Sequence, residues 1–390
     1  MLERGGVAET WRSQRWDSFH SNTPRWMTVL PGAQLGDARR DGFAGRDELV
    51  EAFEGYARRR ALPIHTGIAV TSVQRAATGN GFLVGARTRA GESRTWEART
   101  VVVASGIQRI PRFPGFNRAL PPGVASLHSS GYRNPSRLPP GSAVVVGGGQ
   151  SGSQIAEDLL GAGRTVYLCA SRVARVPRRY RGRDILEWWV DAGEFDATVR
   201  ELDDPALRFA PQPQVSGVGH RGHTISLQHL ARAGVRLLGR AIGVNEGLLQ
   251  LDSRLGEYVR FADEQSDKFR REVDAYIERA GLAAPEPEED SADAPVPDLW
   301  SLTGPADLDL REAGIGCVIW CTGFMADFSW LRVPVLDERG LPVHEDGVSA
   351  VPGLYFLGFP WLRSRKSGII FGIAEDAAFI AGAIGRHLAG

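Results

Sequence analysis

The chain has 390 residues, too many for one ordinary hydrophobic core, and this length predicts two domains. Lysine plus arginine equals aspartate plus glutamate at 46 each, so charge favours neither a nucleic-acid partner nor an acidic solvating protein. Glycine is abundant, with 47 residues, which indicates many tight turns or close approaches of the backbone to a ligand.

The cysteines and the apolar segments indicate in which cellular compartment the protein is expected. Cys169, Cys317 and Cys321 form no C-x-x-C pair and are too few for a disulfide framework. Charged residues interrupt the first apolar run, so no signal peptide is predicted. Glu375 and Asp376 lie inside the most apolar late stretch, which argues against a membrane span. We therefore expect a cytoplasmic protein in a reducing environment.

The first third of the chain predicts one helix and then short strands. Apolar residues at helical spacing predict a helix over residues 45–62. Several β-type runs separated by turn residues follow, and they predict a small antiparallel meander that ends in a buried strand at Val101–Ala104. The proline-rich residues 121–140 predict a linker between domains.

A glycine motif carries the most weight. Gly147, Gly149 and Gly152 form G-x-G-x-x-G directly after an apolar strand, and Gln150 and Ser151 open the helix that follows. In such a loop the first glycine makes the turn, the second admits a pyrophosphate, and the third allows close helix–strand packing. The helix N-terminus offers N–H groups to the phosphates. This context favours a dinucleotide site over a glycine turn in a fold without a nucleotide.

The second strand of the same unit indicates which nucleotide binds. An NAD site places an acidic residue about 20 residues after the glycines, to bind the ribose hydroxyls. Here the strand ends in Ala170, Ser171 and Arg172. A hydroxyl beside a guanidinium suits a 2′-phosphate, so NADPH is predicted. The alternative is that Arg172 is only a solvated surface charge.

The region from about 175 to 310 is weakly defined. Helices are predicted at Asp184–Val190 and Glu264–Gly281, and residues 285–297 form an acidic, proline-broken loop. His220 and His223 have the spacing of metal ligands, but no third ligand is evident nearby, and we predict a loop pair without a metal. Two further strands and a helix from Ser367 to about His387 complete the chain.

Blocks along nearly the whole chain resemble the flavin-containing monooxygenases, a superfamily of flavin-dependent oxidoreductases. The blocks are RWDSFHSNTPRWMTVLPG, DGFAGRDELVEAFEGYA, VVVASGIQRIPRFPGF, LHSSGYRNP, VVVGGGQSGSQIAEDL, VPRRYRGRDI, CTGFMADFSWL and VPGLYFLGFPWLRSRKSGIIFGIAEDAAFIA. The resemblance implies an α/β fold with two dinucleotide-binding, Rossmann-like domains. The NADPH domain, residues 140–310, would be inserted into an FAD domain made of residues 1–135 and 311–390.

The family carries two glycine-loop units, the first for FAD and the second for NADPH. The unit at Gly147 resembles the second. Glu3 matches the acidic residue that ends the first unit and grips the FAD ribose, and Met1 stands where the family has a strand valine. The resemblance therefore leads us to expect that the first strand, glycine loop and helix are absent from this chain, through a start codon assigned too late or a genuine truncation.

Individual site residues follow from the same resemblance. Asn22 matches an asparagine beside the flavin ring that helps hold the oxygen adduct, and its amide can both donate and accept; the alternative is a turn-forming Asn before Thr-Pro. Arg178 and Arg179 would clamp nucleotide phosphates, unless they are a solvated basic run. His128 is expected to be structural, bonded between the domains. The remaining implied cofactor contacts are Glu3, Arg4, Trp11, Ser105, Gly106, Gly323 and Gly358.

The resemblance implies an NADPH- and FAD-dependent monooxygenase acting on a small organic substrate and O₂. The chain departs from the family at three motifs. G-G-x-W becomes Ala8-Glu9-Thr10-Trp11, A-T-G becomes Ala104-Ser105-Gly106, and of the monooxygenase fingerprint only His128-x-x-x-Tyr132 remains. Two alternatives therefore stay open: an NADPH oxidase or reductase without oxygen transfer, and a non-catalytic nucleotide-binding remnant. No nucleic-acid partner or membrane span is predicted, and homo-oligomerisation is left open.

Overall fold

A computed structural model describes residues 1–34, 42–77, 79–210, 212–217 and 219–390. Its helices, in chain order, are α1 (Glu9–Gln14), α2 (Arg46–Arg59), α3 (Gln150–Gly161), α4 (Ile185–Asp191), α5 (Leu227–Arg232), α6 (Leu255–Ala280) and α7 (Ile370–Ala389). Helices were predicted at the places of α2, α3, α4, α6 and α7, and α6 begins earlier than expected. No helix in these ranges is both long and apolar enough to cross a lipid bilayer.

The strands are short. In chain order they are β1 (Val29–Leu30), β2 (Ala33–Gln34), β3 (Ile68–Arg75), β4 (Phe82–Thr88), β5 (Ser93–Ala98), β6 (Val101–Val103), β7 (Ile110–Pro111), β8 (Ala125–His128), β9 (Ser142–Val146), β10 (Val166–Cys169), β11 (Arg179–Tyr180), β12 (Arg183–Asp184), β13 (Arg236–Leu238), β14 (Ala241–Asn245), β15 (Leu248–Leu251), β16 (Asp307–Asp309), β17 (Ile315–Trp320), β18 (Phe324–Met325) and β19 (Leu354–Phe356).

A five-stranded parallel sheet holds the glycine motif. Its order is β13-β10-β9-β17-β8, so the strand order reverses at β9. Successive residues of β9 point into two different cores, Ala143 and Val145 into one and Val144 and Val146 into the other. Burial on both faces explains the continuous apolar run of this strand.

A second, smaller parallel pair joins β6 to β19, with Val101 opposite Leu354 and Val103 opposite Phe356. The antiparallel meander β3-β4-β5 packs against this pair through a shared apolar cluster that includes Val73, Phe82 and Val103. The three antiparallel strands of the predicted meander are confirmed. The prediction that the meander ends in a buried strand at Val101–Ala104 is wrong, because β6 pairs in parallel with β19 and Val102 is exposed. The mixed α/β class with parallel sheets is confirmed as well.

Two strands lie in a different sheet from the one expected. We predicted that residues 311–390 and 1–135 form the flavin domain, yet β17 pairs with β9 on one side and with β8 on the other. Both strands therefore belong to the sheet of the glycine motif, whereas β6 pairs with β19. The predicted boundaries at 135 and 311 must be corrected, because a short apolar strand buried on both faces reads the same in either parallel sheet. The proline-rich stretch is likewise not only a linker, since it contains β8.

Candidate functional site

The glycine loop leaves the carboxyl end of β9, at the point where the strand order reverses and where open α/β sheets bind ligands. Gly147 has a φ of +111°, and a Cβ there would lie 2.6 Å from the carbonyl oxygen of Cys321. A Cβ at Gly152 would overlap the carbonyl oxygen of Gly147, whereas one at Gly149 would meet no atom within 4 Å. The loop is therefore tight where the backbone turns and open where a pyrophosphate would lie.

Helix α3 begins at Gln150 without a side-chain cap at Gly149. Its first-turn N–H groups are therefore available to an anion. Residues 214–217 lie along the same end of the helix. The Gln150 amide accepts from the Val215 N–H at 2.7 Å and donates to the Ser216 carbonyl at 2.5 Å. The sequence did not predict this contact, because the partners are separated by about 65 residues and the segment has no regular pattern.

Ser171 and Arg172 follow β10 at the same edge of the sheet. The Arg172 guanidinium carbon lies 4.1 Å from the centre of the Phe261 ring, which belongs to α6. The side chain is exposed, and no carboxylate in the described residues forms an ion pair with it. A guanidinium held on an aromatic face keeps its N–H edge available to a phosphate.

Asn22 lies against this unit. Its side-chain oxygen accepts from the Gln154 amide of α3 at 3.3 Å, and its backbone carbonyl accepts from Arg178 at 2.9 Å. The amide of Gln154 also donates to the Ser216 carbonyl at 3.1 Å. The predicted catalytic residue is thus bonded to the helix that carries the glycine loop.

The two arginines predicted as phosphate clamps have protein partners. Arg178 is 1 % exposed, forms an ion pair with Asp184, and lies 4.7 Å from the centre of the Phe43 ring. Burial lowers the pKa of this guanidinium, and Asp184 opposes that effect. Arg179 donates to the carbonyls of Arg221 and Gly222. In the structure Arg178 is buried and its guanidinium contacts Asp184 and the backbone carbonyl of Asn22.

Four further predicted residues lie at the edges of two sheets. Ser105 and Gly106 follow β6, and Gly358 follows the adjacent parallel strand β19, so these three lie together at the carboxyl edge of the small pair. Gly323 follows β17 in the larger sheet, where its carbonyl lies 2.9 Å from Nε2 of His128. His128 is 4 % exposed, and burial lowers its pKa. Its predicted structural role fits this environment.

The first residues border a cleft. The backbone N–H of Glu3 donates to the His65 carbonyl at 2.9 Å, and its carboxylate accepts from the Gly5 N–H at 2.7 Å. The next residues border an open cavity of about 500 Å³. It is lined by Gly5, Gly6, residues 66–68 and residues at and around the β4–β5 turn. Arg4 is exposed, whereas Trp11 packs on Phe19 with ring centres 5.6 Å apart. Glu3 therefore lies next in sequence to the residues that line the cavity, whereas Trp11 has a packing role.

Of the two loop histidines, His223 lies in a cluster of ligand-type groups and His220 does not. The partners of His223 are Glu157 on α3 and His229 on α5. The hydrogen bond with Glu157 raises the pKa of His223, and burial lowers that of His229. Sequence spacing could not show the carboxylate, because it lies 66 residues before His223.

Comparison with known proteins places this site in a class. The family model described as pyridine nucleotide-disulphide oxidoreductase matches residues 22–191. In fold, the chain is similar to the FAD-bound cadaverine monooxygenase DfoA of Erwinia amylovora, with a TM-score of 0.60 and 14 % identity over 98 % of this chain and 87 % of that one. It is also similar to the bacillithiol disulfide reductase of Bacillus cereus, with a TM-score of 0.57 and 14 % identity over 99 % and 90 %. The fold is that of flavin-dependent oxidoreductases, and the glycine loop lies within the part of the chain that the pyridine-nucleotide family model matches.

A sequence relative identifies the family within that class. The CzcO-like oxidoreductase of Geobacillus kaustophilus is 31 % identical over 391 aligned residues, which cover 98 % of this chain and 89 % of the relative. The chain belongs to the family of CzcO-like oxidoreductases.

The cofactors of this class are FAD and NADPH, and the residues present fit them unequally. For NADPH, the open face at Gly149 and the uncapped start of α3 provide a pyrophosphate site, and Arg172 stands at the second strand. For FAD, Glu3 precedes two of the residues that line the open cavity, and Ser105, Gly106 and Gly358 share one sheet edge. Among the described residues, however, neither β6 nor β19 is followed by a G-x-G-x-x-G loop of the kind that precedes α3.

Proposed function

We propose that this protein is an NADPH-dependent flavoprotein monooxygenase. In the net reaction, a small organic substrate, O₂, NADPH and a proton give the oxygenated substrate, NADP⁺ and water. Bound FAD supplies the electron transfer from NADPH and the activation of O₂. The contribution of the chain is to orient the nucleotide, to place a polar amide beside the reacting oxygen and to exclude water.

One observation carries the proposal: Asn22 is bonded both to α3 and to the buried Arg178. Its carbonyl oxygens are engaged by Gln154 and Arg178, whereas no described group accepts from its side-chain NH₂. That NH₂ can therefore donate to an oxygen species next to the nucleotide unit. The buried pair of Arg178 with Asp184 fixes the backbone that presents the amide.

A second candidate is an NADPH oxidase, which would release hydrogen peroxide from the same site. Only the His128-x-x-x-Tyr132 part of the monooxygenase fingerprint is kept, and the loss of the rest favours the oxidase. A disulfide reductase is less favoured, because Cys169 and Cys317 are buried, Cys321 is half-buried, and all three are free thiols.

The test is a comparison of NADPH consumed with peroxide and oxygenated product formed, at saturating FAD, across amine, sulfide and ketone substrates. A monooxygenase shows substrate-stimulated NADPH oxidation with product in near-stoichiometric yield. Asn22→Ala should then lower product formation by about 10²–10³-fold and increase peroxide for each NADPH consumed. Peroxide equal to NADPH for every substrate would support the oxidase instead, and no NADPH oxidation would exclude both.

A further inference from the structure

Three side chains of the types that bind metal ions, Glu157, His223 and His229, meet at the C-terminal half of α3. Oε1 of Glu157 lies 2.5 Å from Nε2 of His223 and 3.8 Å from Nε2 of His229. The three ligand atoms all lie within 4.8 Å of one another. They come from three separate pieces of the chain: α3, the loop before α5, and α5.

The fold holds each of these side chains in place. The Glu157 side chain is only 11 % exposed. His229 lies in the first turn of α5, where its backbone N–H donates to Oγ of the N-cap Ser226 at 2.8 Å. The backbone N–H of Gly217 donates to the His223 carbonyl at 2.8 Å, and a Cβ at Gly217 would collide with the His223 imidazole. The absence of a side chain at Gly217 therefore leaves space for the His223 imidazole.

We propose that Glu157, His223 and His229 bind a divalent transition-metal ion of the zinc type. Two imidazoles and one carboxylate are one of the donor sets that Zn²⁺ takes in sites with three protein ligands, where water fills the fourth position. Imidazole nitrogen favours zinc, copper or nickel over magnesium or calcium. Asp290 adds a negative charge that acts on both histidines.

The distances between the ligand atoms show which side chain must move when a zinc ion binds. Zinc binds such ligands at about 2.0–2.2 Å, so tetrahedral ligand atoms stand about 3.3–3.6 Å apart. The separation of Glu157 from His229 is already near this value, whereas the hydrogen bond from Glu157 to His223 must open by about 1 Å. The His223 side chain is 42 % exposed and has room for that shift.

The site is separate from the nucleotide site. Glu157 follows Gln150 by seven residues, which is about 10 Å along a helix. The ion would therefore not touch the phosphates. It would tie the loop that carries His223 to α3, the helix that residues 214–217 already contact through Gln150 and Gln154.

The experiment titrates CoCl₂, and then ZnCl₂, into chelator-treated protein without a polyhistidine tag, and needs neither FAD nor NADPH. We expect one equivalent of Co²⁺ to give the visible absorption of a tetrahedral ion, Zn²⁺ to displace it, and the melting temperature to rise with metal. Glu157→Gln, His223→Ala and His229→Ala should each weaken binding at least about 100-fold, because even changes to groups behind the ligands weaken metal sites by 10–100-fold.

His220→Ala is the matched control, because His220 lies in the same loop outside the cluster. It should bind Co²⁺ as the wild type does. The proposal is overturned if the wild type shows no saturable one-to-one binding, or if Glu157→Gln and His229→Ala, shown to be folded by circular dichroism, bind Co²⁺ like the wild type.

Discussion

We predict that the exposed side chain of Arg172 sets the preference for NADPH over NADH. Its guanidinium stacks on Phe261 and stands just beyond β10, where the adenosine ribose of a dinucleotide would lie. Arg172→Ala should narrow the preference for NADPH over NADH by about 1–3 kcal/mol, the value of a hydrogen bond to a charged group. The measurement is the dissociation constant of each nucleotide by fluorescence titration. Arg271→Ala, an exposed arginine on α6, is the control; equal losses for NADPH and NADH in Arg172→Ala would contradict the assignment.

Asp376 on α7 should make stability depend on pH. It is 2 % exposed, Oδ2 has no hydrogen-bond partner in the described residues, and Arg363 lies 3.6 Å away. Burial raises the pKa of this carboxyl above 3.8. The folded state therefore holds the proton more tightly than the unfolded chain, and its contribution to stability falls as pH rises from 3.8 through the folded-state pKa. Asp376→Asn should remove that fall.

Urea unfolding of Asp376→Asn at intervals between pH 4 and pH 8 measures this effect. The variant should be more stable than the wild type at pH 7 and should have a flatter profile. Glu51→Gln, an exposed carboxylate on α2, is the matched control and should keep the wild-type profile. If the free energy of unfolding of Asp376→Asn depended on pH as that of the wild type does, then the Asp376 carboxyl would ionise in the folded protein without a cost in stability.

At the scale of elements, the β9–loop–α3 unit gives a paired test within one helix. Gly152→Ala places a methyl group on the carbonyl oxygen of Gly147, and should cost about 1–3 kcal/mol of stability and abolish NADPH binding. Gly161→Ala adds the same methyl group at the exposed end of α3, where no atom lies within 4 Å, and should stabilise the protein by about 0.5–1 kcal/mol. Chemical denaturation and nucleotide titration of both variants check this. Similar effects of the two substitutions would contradict tight packing at Gly152.

This unit could be predicted from sequence because its determinants are local: an apolar strand, three spaced glycines and a helix within about 20 residues. The partner of β17 could not, since hydrogen-bond pairing between parallel strands leaves no local pattern. The same limit hid Gln150 as an anchor for residues 214–217 and Glu157 as a partner of His223, contacts that span 65 residues or more. The sequence therefore predicts local motifs, whereas it does not predict contacts between segments that are far apart in the chain.

At the scale of the whole molecule, the two parallel sheets differ in how much of a nucleotide site they provide. The larger sheet carries a complete strand, glycine loop, helix and second strand. The β6–β19 pair places Ser105, Gly106 and Gly358 at its carboxyl edge. Val102 is 39 % exposed, and β6 has no second strand partner in the described residues.

We therefore expect the 390-residue chain to bind NADPH without FAD, and to bind FAD at least about tenfold more weakly than NADPH, a difference of about 1.4 kcal/mol. The reason is that a helix N-terminus offsets pyrophosphate charge with N–H groups and its dipole, and α3 begins directly after the G-x-G-x-x-G loop, whose open face at Gly149 leaves room for a pyrophosphate. The measurement is a separate titration of each cofactor, followed by nucleotide and flavin fluorescence. Protein that is purified with one equivalent of tightly held FAD would show that other contacts suffice for the flavin pyrophosphate.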